Sequence, residues 1–143
     1  MSKILVVYWS GTGNTQMMAE AVAEGAKAAG AEVTLADVGG ANAGLADEYD
    51  RIAFGCPSMG DEVLEEGDME PFFSDVETKL SGKKVALFGS YDWGDGQWMR
   101  DWTKRTEDAG ASVCQGEGLI CNNTPDDDGL ADCKKLGECL VSM

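Results

Sequence analysis

Six consecutive small or polar residues follow an apolar run at positions 4 to 7 and precede a stretch rich in alanine, methionine and glutamate. The six are Ser10, Gly11, Thr12, Gly13, Asn14 and Thr15. The two glycines allow backbone N–H groups to turn towards one point, and the hydroxyl and amide side chains add donors where a helix begins. This concentration of neutral donors predicts a phosphate-binding loop between a strand and a helix.

The loop differs from two common nucleotide motifs. The nucleoside triphosphatase loop needs G-x-x-x-x-G-K-[ST], and the dinucleotide motif G-x-G-x-x-G fails because Gln16 stands at its third glycine. No Lys or Arg lies between Lys3 and Lys27, so we expect neutral donors and the helix dipole to hold the phosphate. The alternative interpretation is an ordinary glycine-rich turn from strand to helix.

Two further loops carry side chains that could hold a flat ring. After position 54 the chain reads GCPSMGDEVLEEGDME, in which Met59 precedes Gly60 and six of the ten residues from 61 to 70 are acidic. After position 88 it reads GSYDWGDGQWM, with Trp93 at the expected tip of the loop. A thioether and an indole on neighbouring loops could enclose an aromatic ring beside the phosphate. The alternative is that Met59 packs internally and Trp93 contacts another protein.

The hydrophobic pattern predicts the elements that position these loops. Continuous apolar runs are typical of parallel strands covered on both faces. The expected strands, three strong and two weaker, are 3–9, 51–56, 83–91, 32–37 and 111–121. Four other segments have helical spacing, and a further short helix is expected within 39–47. The residues expected on the helix faces are Met18, Val22, Ala26, Ala29, Met69, Phe72, Phe73, Val76, Leu80, Trp98, Met99, Trp102, Arg105, Ala109, Leu130, Cys133, Leu136 and Leu140.

Strands and helices that alternate along the chain predict a single α/β domain over residues 1–143. We expect an open five-stranded parallel sheet of strand order 2-1-3-4-5 with helices on both faces, because each parallel pair needs a right-handed crossover. Ligands bind such sheets at the carboxyl ends of the strands, where the strand order reverses. The three loops should therefore meet at the ends of strands 1, 3 and 4.

Charge and cysteine content narrow the function. The chain has 26 acidic and 11 basic residues and a net charge of -15, so we expect basic protein partners, no nucleic acid and no membrane insertion. Its five cysteines show no C-x-x-C spacing and histidine is absent, which predicts reduced core thiols and no metal site. The apolar stretch after Lys3 is too short for a signal peptide or a membrane span, which favours a cytoplasmic location.

Three motifs together, SGTGNT at 10–15, MGDE at 59–62 and SYDWGDG at 90–96, resemble flavodoxins, in particular the short-chain clostridial type. The similarity extends over the whole chain and is nearly word for word in VYWSGTGNT, MGDEVLEE and GKKVALFGSY. It implies a flavodoxin-like fold, non-covalently bound FMN and a monomeric low-potential electron carrier without catalytic residues. Such a carrier shuttles between the semiquinone and hydroquinone of FMN, with ferredoxin-type donors and acceptors as redox partner proteins with basic docking surfaces.

The resemblance also implies a role for each loop. The first loop would bind the phosphate, Met59 and Trp93 would flank the two faces of the isoalloxazine ring, and Glu62 would accept the ring N–H at position 3. Backbone groups of residues 59 to 61 would contact N5, and residues 90 to 94 would line the pyrimidine end. The cofactor-binding residues implied in this way are Ser10, Gly11, Thr12, Gly13, Asn14, Thr15, Pro57, Ser58, Met59, Gly60, Asp61, Glu62, Ser90, Tyr91, Asp92, Trp93 and Gly94.

One position departs from the clostridial pattern. Asp92 stands where those relatives have glycine, which adds negative charge near the flavin.

Further along the chain, Thr124 resembles a helix cap, with Pro125 in the first turn and Asp127 as the acid of a capping box.

Two other protein classes remain open. An FMN-dependent NAD(P)H or quinone reductase shares the fold, but such an enzyme needs a substrate shelf over the ring, and this chain has little spare length. A phospho-accepting receiver shares the strand order, but it needs an acidic pair just after strand 1, where this chain has Ser10 and Gly11.

Overall fold

The computed structural model describes residues 3–59 and 63–143. Within them the strands are β1 (Lys3–Tyr8), β2 (Glu32–Asp37), β3 (Arg51–Gly55), β4 (Lys84–Tyr91), β5 (Ser112–Val113) and β6 (Leu119–Asn122). The α-helices are α1 (Asn14–Ala28), α2 (Met69–Glu77), α3 (Gln97–Asp108) and α4 (Asp127–Ser142). Short 3-10 turns cover Val38–Gly40, Ala43–Glu48 and Cys114–Gly116. Among these residues no helix is long and apolar enough to cross a membrane.

The strands form one parallel sheet ordered β2-β1-β3-β4, with β5 and β6 both beside β4. β1 lies between β2 and β3, because Val6 is opposite Leu35 on one side and Ala53 on the other. The predicted order 2-1-3-4-5 is therefore confirmed. The chain moves from β1 to one side of the sheet and returns to the other, so the strand order reverses between β1 and β3.

The prediction of one fifth strand over 111–121 is wrong, because β5 pairs with the start of β4 and β6 with its end. Between the pairs Val85–Val113 and Phe88–Leu119, β4 advances by three residues while its partner advances by six. The three surplus residues leave the ladder in a 3-10 turn whose central residue has a φ of 62°. The described part of the chain therefore forms a sheet of six strands.

Helices cover both faces of the sheet, as predicted. The residues Ile4 to Val7 of β1 are fully buried and alternate between two apolar clusters. Leu5 and Val7 pack with residues of α2 and α3, whereas Ile4 and Val6 pack with residues of α1 and α4. This arrangement explains why the strand is apolar at consecutive positions. β2 lies at the edge of the sheet and is more exposed.

Three predicted positions on the helix faces lie beyond the helices. Ala29 follows the end of α1 and is exposed, Leu80 is buried beyond the end of α2, and Ala109 follows the end of α3. Glycines with φ of 99° and 95° directly follow Ala29 and Ala109, and such left-handed glycines commonly terminate helices. The short helix expected within 39–47 is replaced by two 3-10 turns.

The predicted cap at Thr124 is wrong. α4 begins at Asp127, and Oδ1 of Asp126 accepts a hydrogen bond from the amide of Gly129 at 2.7 Å. The cap therefore lies two residues later than predicted. The hydroxyl of Thr124 donates instead to Oδ1 of Asn14 at 3.1 Å. This contact connects the segment before α4 to the first loop.

Arg105 connects α2 and α3. Its guanidinium donates to both carboxylate oxygens of Glu70, at 2.9 and 2.8 Å, and to those of Glu77, at 2.9 and 3.0 Å. It also lies over the ring of Phe73, 4.9 Å from the centroid. The hydrogen bond with Arg105 lowers the pKa of the Glu70 carboxyl. The predicted inner face of α3 thus includes a partly buried ion-pair network.

Candidate functional site

A cavity of about 240 Å³ lies at the carboxyl ends of β1, β3 and β4, where the strand order reverses. Its walls come from the three predicted loops and from the segment after β6. Among the described residues it is lined by Trp9, Gly11, Thr12, Asn14, Pro57, Ser58, Met59, Ser90, Tyr91, Asp92 and Asn123. A wider depression of about 530 Å³ between α2 and α3 is lined largely by charged side chains that pair with one another.

The structure brings nine predicted site residues to the wall of this cavity. They are Gly11, Thr12, Asn14, Pro57, Ser58, Met59, Ser90, Tyr91 and Asp92. Five others belong to the same loops without lining it: Ser10, Gly13, Thr15, Trp93 and Gly94. Gly60, Asp61 and Glu62 lie outside the described residues, so their predicted contacts with N5 and with the ring N–H stay predictions.

Ser10 holds the first loop in shape. Its Oγ accepts hydrogen bonds from the amides of Gly13 at 3.1 Å and Gln16 at 3.2 Å. Gly13 is the N-cap residue of α1 and has a φ of 94°. It has no side chain that could accept a hydrogen bond from the first amides of the helix. Ser10 therefore supplies the acceptor that the start of the helix needs, which leaves other amides of the loop available.

Several of those amides are available to bind a ligand. Among the described residues, the backbone N–H groups of Gly11, Thr12 and Thr15 donate to no acceptor. Gly11 and Thr12 line the cavity, and no lining residue in the described part of the chain is cationic. The positive end of the α1 dipole lies at the same place. The donor set therefore fits a phosphate group held by neutral N–H groups.

Thr15 connects the first loop to β4. Its side chain is buried, with 1% of its surface exposed, and its Oγ1 lies 3.0 Å from Oγ of Ser90. The amide of Ser90 also donates to this oxygen, at 3.4 Å. The hydroxyl of Thr15 thus fixes the loop against the sheet inside the protein.

The second loop is attached to the third. The amide of Ser58 donates to the carbonyl of Ser90 at 3.0 Å. Met59 and Val63 then form an isolated antiparallel bridge with two hydrogen bonds of 2.9 Å. These contacts hold Met59 at the cavity wall, and its predicted place against the flavin ring stays a prediction.

The third loop places an exposed indole beside the cavity. Trp93 is 55% exposed, in keeping with its expected place at a loop tip. Tyr91 lines the cavity and packs against Trp98, with ring centroids 5.7 Å apart. Among the described non-glycine residues only Gln115 and Asn123 have a positive φ, so Asp92 adopts an ordinary backbone conformation in place of glycine. Its carboxylate is exposed at the rim.

Sequence reasoning missed two lining residues, Trp9 and Asn123. The ring of Trp9 lies so close to Gly11 that a Cβ there would come within 2.9 Å of it, which explains the need for glycine. Asn123 has a φ of 56°, and its amide donates to the carbonyl of Tyr91 at 2.7 Å. The position of Trp9 directly after β1 was an available signal, since residues at strand ends form such sites. Asn123 gave only a weak one, because asparagine tolerates left-handed conformations.

Comparisons with known proteins identify the family of the chain. A family model described as flavodoxin matches residues 6–137. The flavodoxin of Megasphaera elsdenii is 50% identical over 133 residues, which cover 93% of this chain and 94% of that protein. The flavodoxin of Clostridium beijerinckii is 46% identical over 138 residues, which cover 96% of this chain and 99% of that protein.

Solved structures show the same fold over nearly the whole chain. The solution structure of two-electron reduced Megasphaera elsdenii flavodoxin superposes with a TM-score of 0.87 at 46% identity, covering 98% of this chain and 99% of that one. A flavodoxin from the domain Archaea gives a TM-score of 0.87 at 27% identity and covers 98% and 96%. These relatives do not favour a reductase, and the chain belongs to the flavodoxin family of small FMN-binding electron carriers, which are not enzymes.

Proposed function

We propose that the cavity holds FMN with its phosphate in the loop from Ser10 to Thr15 and its ring beside Met59. One observation carries this placement: free amides of Gly11 and Thr12 line the same cavity as the thioether of Met59 and the ring of Tyr91. When bound, FMN supplies a flavin ring that exchanges single electrons. The protein residues bind this ring, orient it and limit its contact with water.

The phosphate loop supplies affinity without cations. Hydrogen bonds from neutral N–H groups to a charged phosphate are stronger than those between neutral groups. The α1 dipole adds to them at short range. Ser10 holds the loop by accepting hydrogen bonds from the amides of Gly13 and Gln16, and the buried hydroxyl of Thr15 holds the loop against β4.

Met59 and Trp93 are proposed to flank the two faces of the ring. Met59 lines the cavity, whereas the exposed indole of Trp93 does not line it and is available to contact a bound ring. An aromatic ring gains both apolar contact and favourable stacking from such neighbours. The remaining loop residues, including Gly94 with a φ of 89°, shape the turn that carries Trp93.

The docking surface is proposed to lie around the cavity and to accept a basic redox partner. Exposed acidic side chains occur on the second and third loops: Glu66, Asp68, Asp92 and Asp95. Lys3, Arg51 and Lys84 stand at the amino ends of β1, β3 and β4, at the opposite end of the sheet. This separation of charge would turn the cavity towards a positively charged protein before contact.

We also propose that the carrier acts as a monomer in the cytoplasm. All five cysteines are free thiols, which fits a reducing compartment. The exposed large apolar side chains, Met17, Leu35, Val63 and Trp93, come from four separate segments of the described chain. Such dispersed residues favour a monomer over a protein with one continuous apolar interface.

Titration of the apoprotein with FMN and with riboflavin tests the proposed site. If the first loop binds the phosphate, FMN should bind at least about tenfold more tightly, because a hydrogen bond to a charged group contributes about 1.5 kcal/mol or more. Met59→Ala should weaken both flavins, whereas Leu35→Ala, at an exposed apolar position on β2, should weaken neither. Equal affinity for FMN and riboflavin would refute the phosphate assignment.

A further inference from the structure

Glu65 has an unusual role among the acidic residues of the second loop. Its carboxylate accepts hydrogen bonds from three consecutive amides, those of Gly67 at 2.7 Å, Asp68 at 2.7 Å and Met69 at 3.0 Å. Asp68, the capping residue of α2, provides no side-chain cap of its own. Burial raises the pKa of the Glu65 carboxyl, but the three amides outweigh it and leave the pKa lower than usual. The carboxylate is therefore occupied within the protein.

The backbone of Glu65 joins both ends of the same loop. Its amide donates to Sγ of Cys56 at 3.4 Å, and its carbonyl accepts from the amide of Glu70 at 2.8 Å. Cys56 is fully buried at the end of β3, and burial raises the pKa of its thiol to about 12, so the thiol stays neutral. Glu65 thus connects the end of β3 with the first turn of α2.

Part of the cavity wall lies in the segment between Cys56 and Glu65, which the first of these hydrogen bonds closes. Pro57, Ser58 and Met59 line the cavity, and Met59 is bridged to Val63 by two hydrogen bonds of 2.9 Å. Leu64 is buried between Val63 and Glu65. If Glu65 released the start of α2, the segment from Val63 onward would loosen, and the bridge that holds Met59 to Val63 would loosen with it.

We propose that Glu65 is a positioning residue for the flavin, acting through the Val63 to Met69 segment on Met59, and not a docking charge. The inference rests on the proposed placement of FMN against Met59. The proposal gives Glu65 a different role from Glu66, the exposed neighbour that carries the same charge.

Gly67 offers a way to disturb the carboxylate without changing any charge. An added Cβ at Gly67 would lie 2.8 Å from Oε2 of Glu65, so the carboxylate must move. The backbone of Gly67 has no positive φ, so alanine is not strained there. Gly40 is a matched control, because a Cβ there meets nothing within 4 Å.

The experiment compares Glu65→Gln, Glu66→Gln, Gly67→Ala and Gly40→Ala as FMN-bound proteins. FMN affinity is measured by apoprotein titration, and the midpoint potentials of the bound flavin by redox titration. Glu65→Gln should weaken FMN roughly three- to tenfold, because a neutral acceptor replaces a charged one. Gly67→Ala should shift the FMN affinity and the midpoint potentials in the same direction as Glu65→Gln does. Glu66→Gln should leave affinity unchanged and shift the potential only by the loss of one surface charge.

Three results would contradict parts of this reasoning separately. If Glu65→Gln matches Glu66→Gln, and Gly67→Ala matches Gly40→Ala, in affinity and potential, Glu65 does not position the flavin. If Glu65→Gln and Gly67→Ala only lower the melting temperature of the apoprotein, Glu65 is a helix cap alone and the proposal fails. If Met59→Ala leaves FMN affinity unchanged, the proposed placement of the ring fails instead. Should Glu65→Gln not fold, Gly67→Ala still decides the question.

Discussion

Replacement of Thr15 by valine should loosen the cofactor loop by removing one buried hydroxyl. Valine keeps the shape of the side chain, and Thr15 is only 1% exposed, so the change removes hydrogen bonding without opening a cavity. The hydroxyl oxygen lies 3.0 Å from Oγ of Ser90 and accepts its amide at 3.4 Å. Ser90 is itself 6% exposed, so its side chain has little access to water apart from the cavity that it lines.

The magnitude follows from the groups left without partners. A buried polar group that loses its hydrogen bond costs about 1 to 3 kcal/mol, whereas removal of both partners costs less. Thr15→Val should therefore lower the free energy of unfolding of the apoprotein by about 1 to 3 kcal/mol. The double variant with Ser90→Ala should be more stable than the sum of the single changes predicts, by about 0.5 kcal/mol or more. FMN affinity should also fall, since Ser90 lines the cavity.

Urea denaturation of the apoprotein and FMN titration measure the two effects. Thr106→Val is the matched control, because Thr106 is fully buried and its hydroxyl donates to the carbonyl of Trp102 at 2.8 Å within α3. It should lower stability without changing FMN affinity. Additive effects of Thr15→Val and Ser90→Ala, together with FMN affinity equal to that of the Thr106→Val protein, would refute the proposed connection.

Three further predictions concern backbone, charge and pH. Gly13→Ala should lower the free energy of unfolding by about 1 to 2 kcal/mol and weaken FMN binding, because Gly13 has a φ of 94°, which strains alanine even though an added Cβ would meet no neighbour. Gly40→Ala should do neither. Equal thermal denaturation of the two variants would contradict this prediction. Electron transfer to a basic redox protein should slow as the Debye length falls from about 30 Å at 0.01 M salt to about 10 Å at 0.1 M salt. The double variant Glu66→Gln, Asp68→Asn should show a smaller decrease in rate. A stopped-flow rate that does not depend on salt would contradict docking of a basic partner. Arg105 lowers the pKa of Glu70, so this carboxylate stabilises the fold above its ordinary pKa of 4.5, and the stabilisation is lost as pH falls towards the folded value. Glu70→Gln should flatten this acid limb in urea denaturation, and an unchanged limb would contradict the assignment.

The central strands could be predicted because their pattern is local. β1, β3 and β4 are apolar at consecutive positions, which a strand between two helical layers requires. The phosphate loop could also be predicted, since its glycines and hydroxyl residues are contiguous in the sequence. These features depend only on residues that are adjacent in the sequence and on one hydrophobic pattern.

The interruption between β5 and β6 could not be predicted in the same way. It depends on how many residues of each segment pair with β4, and on a hydrogen bond of 3.1 Å from the amide of Gly118 to Oγ1 of Thr103 in α3. The misplaced cap at Thr124 has a similar cause, because its hydroxyl binds Asn14 across the fold. In both cases tertiary contacts override local preference.

The geometry of the site depends on β4 more than on the loops themselves. Ser90, near the end of β4, accepts the amide of Ser58 from the second loop and bonds with Thr15 of the first. It also pairs in register with Cys121 of β6, two residues before Asn123. One strand residue therefore contacts the supports of three different cavity walls. A site built on a buried strand end is more precise than one built on loops alone, because the strand is held by its neighbours on both sides. The glycine-rich loop can thus remain open for the phosphate while its base stays fixed.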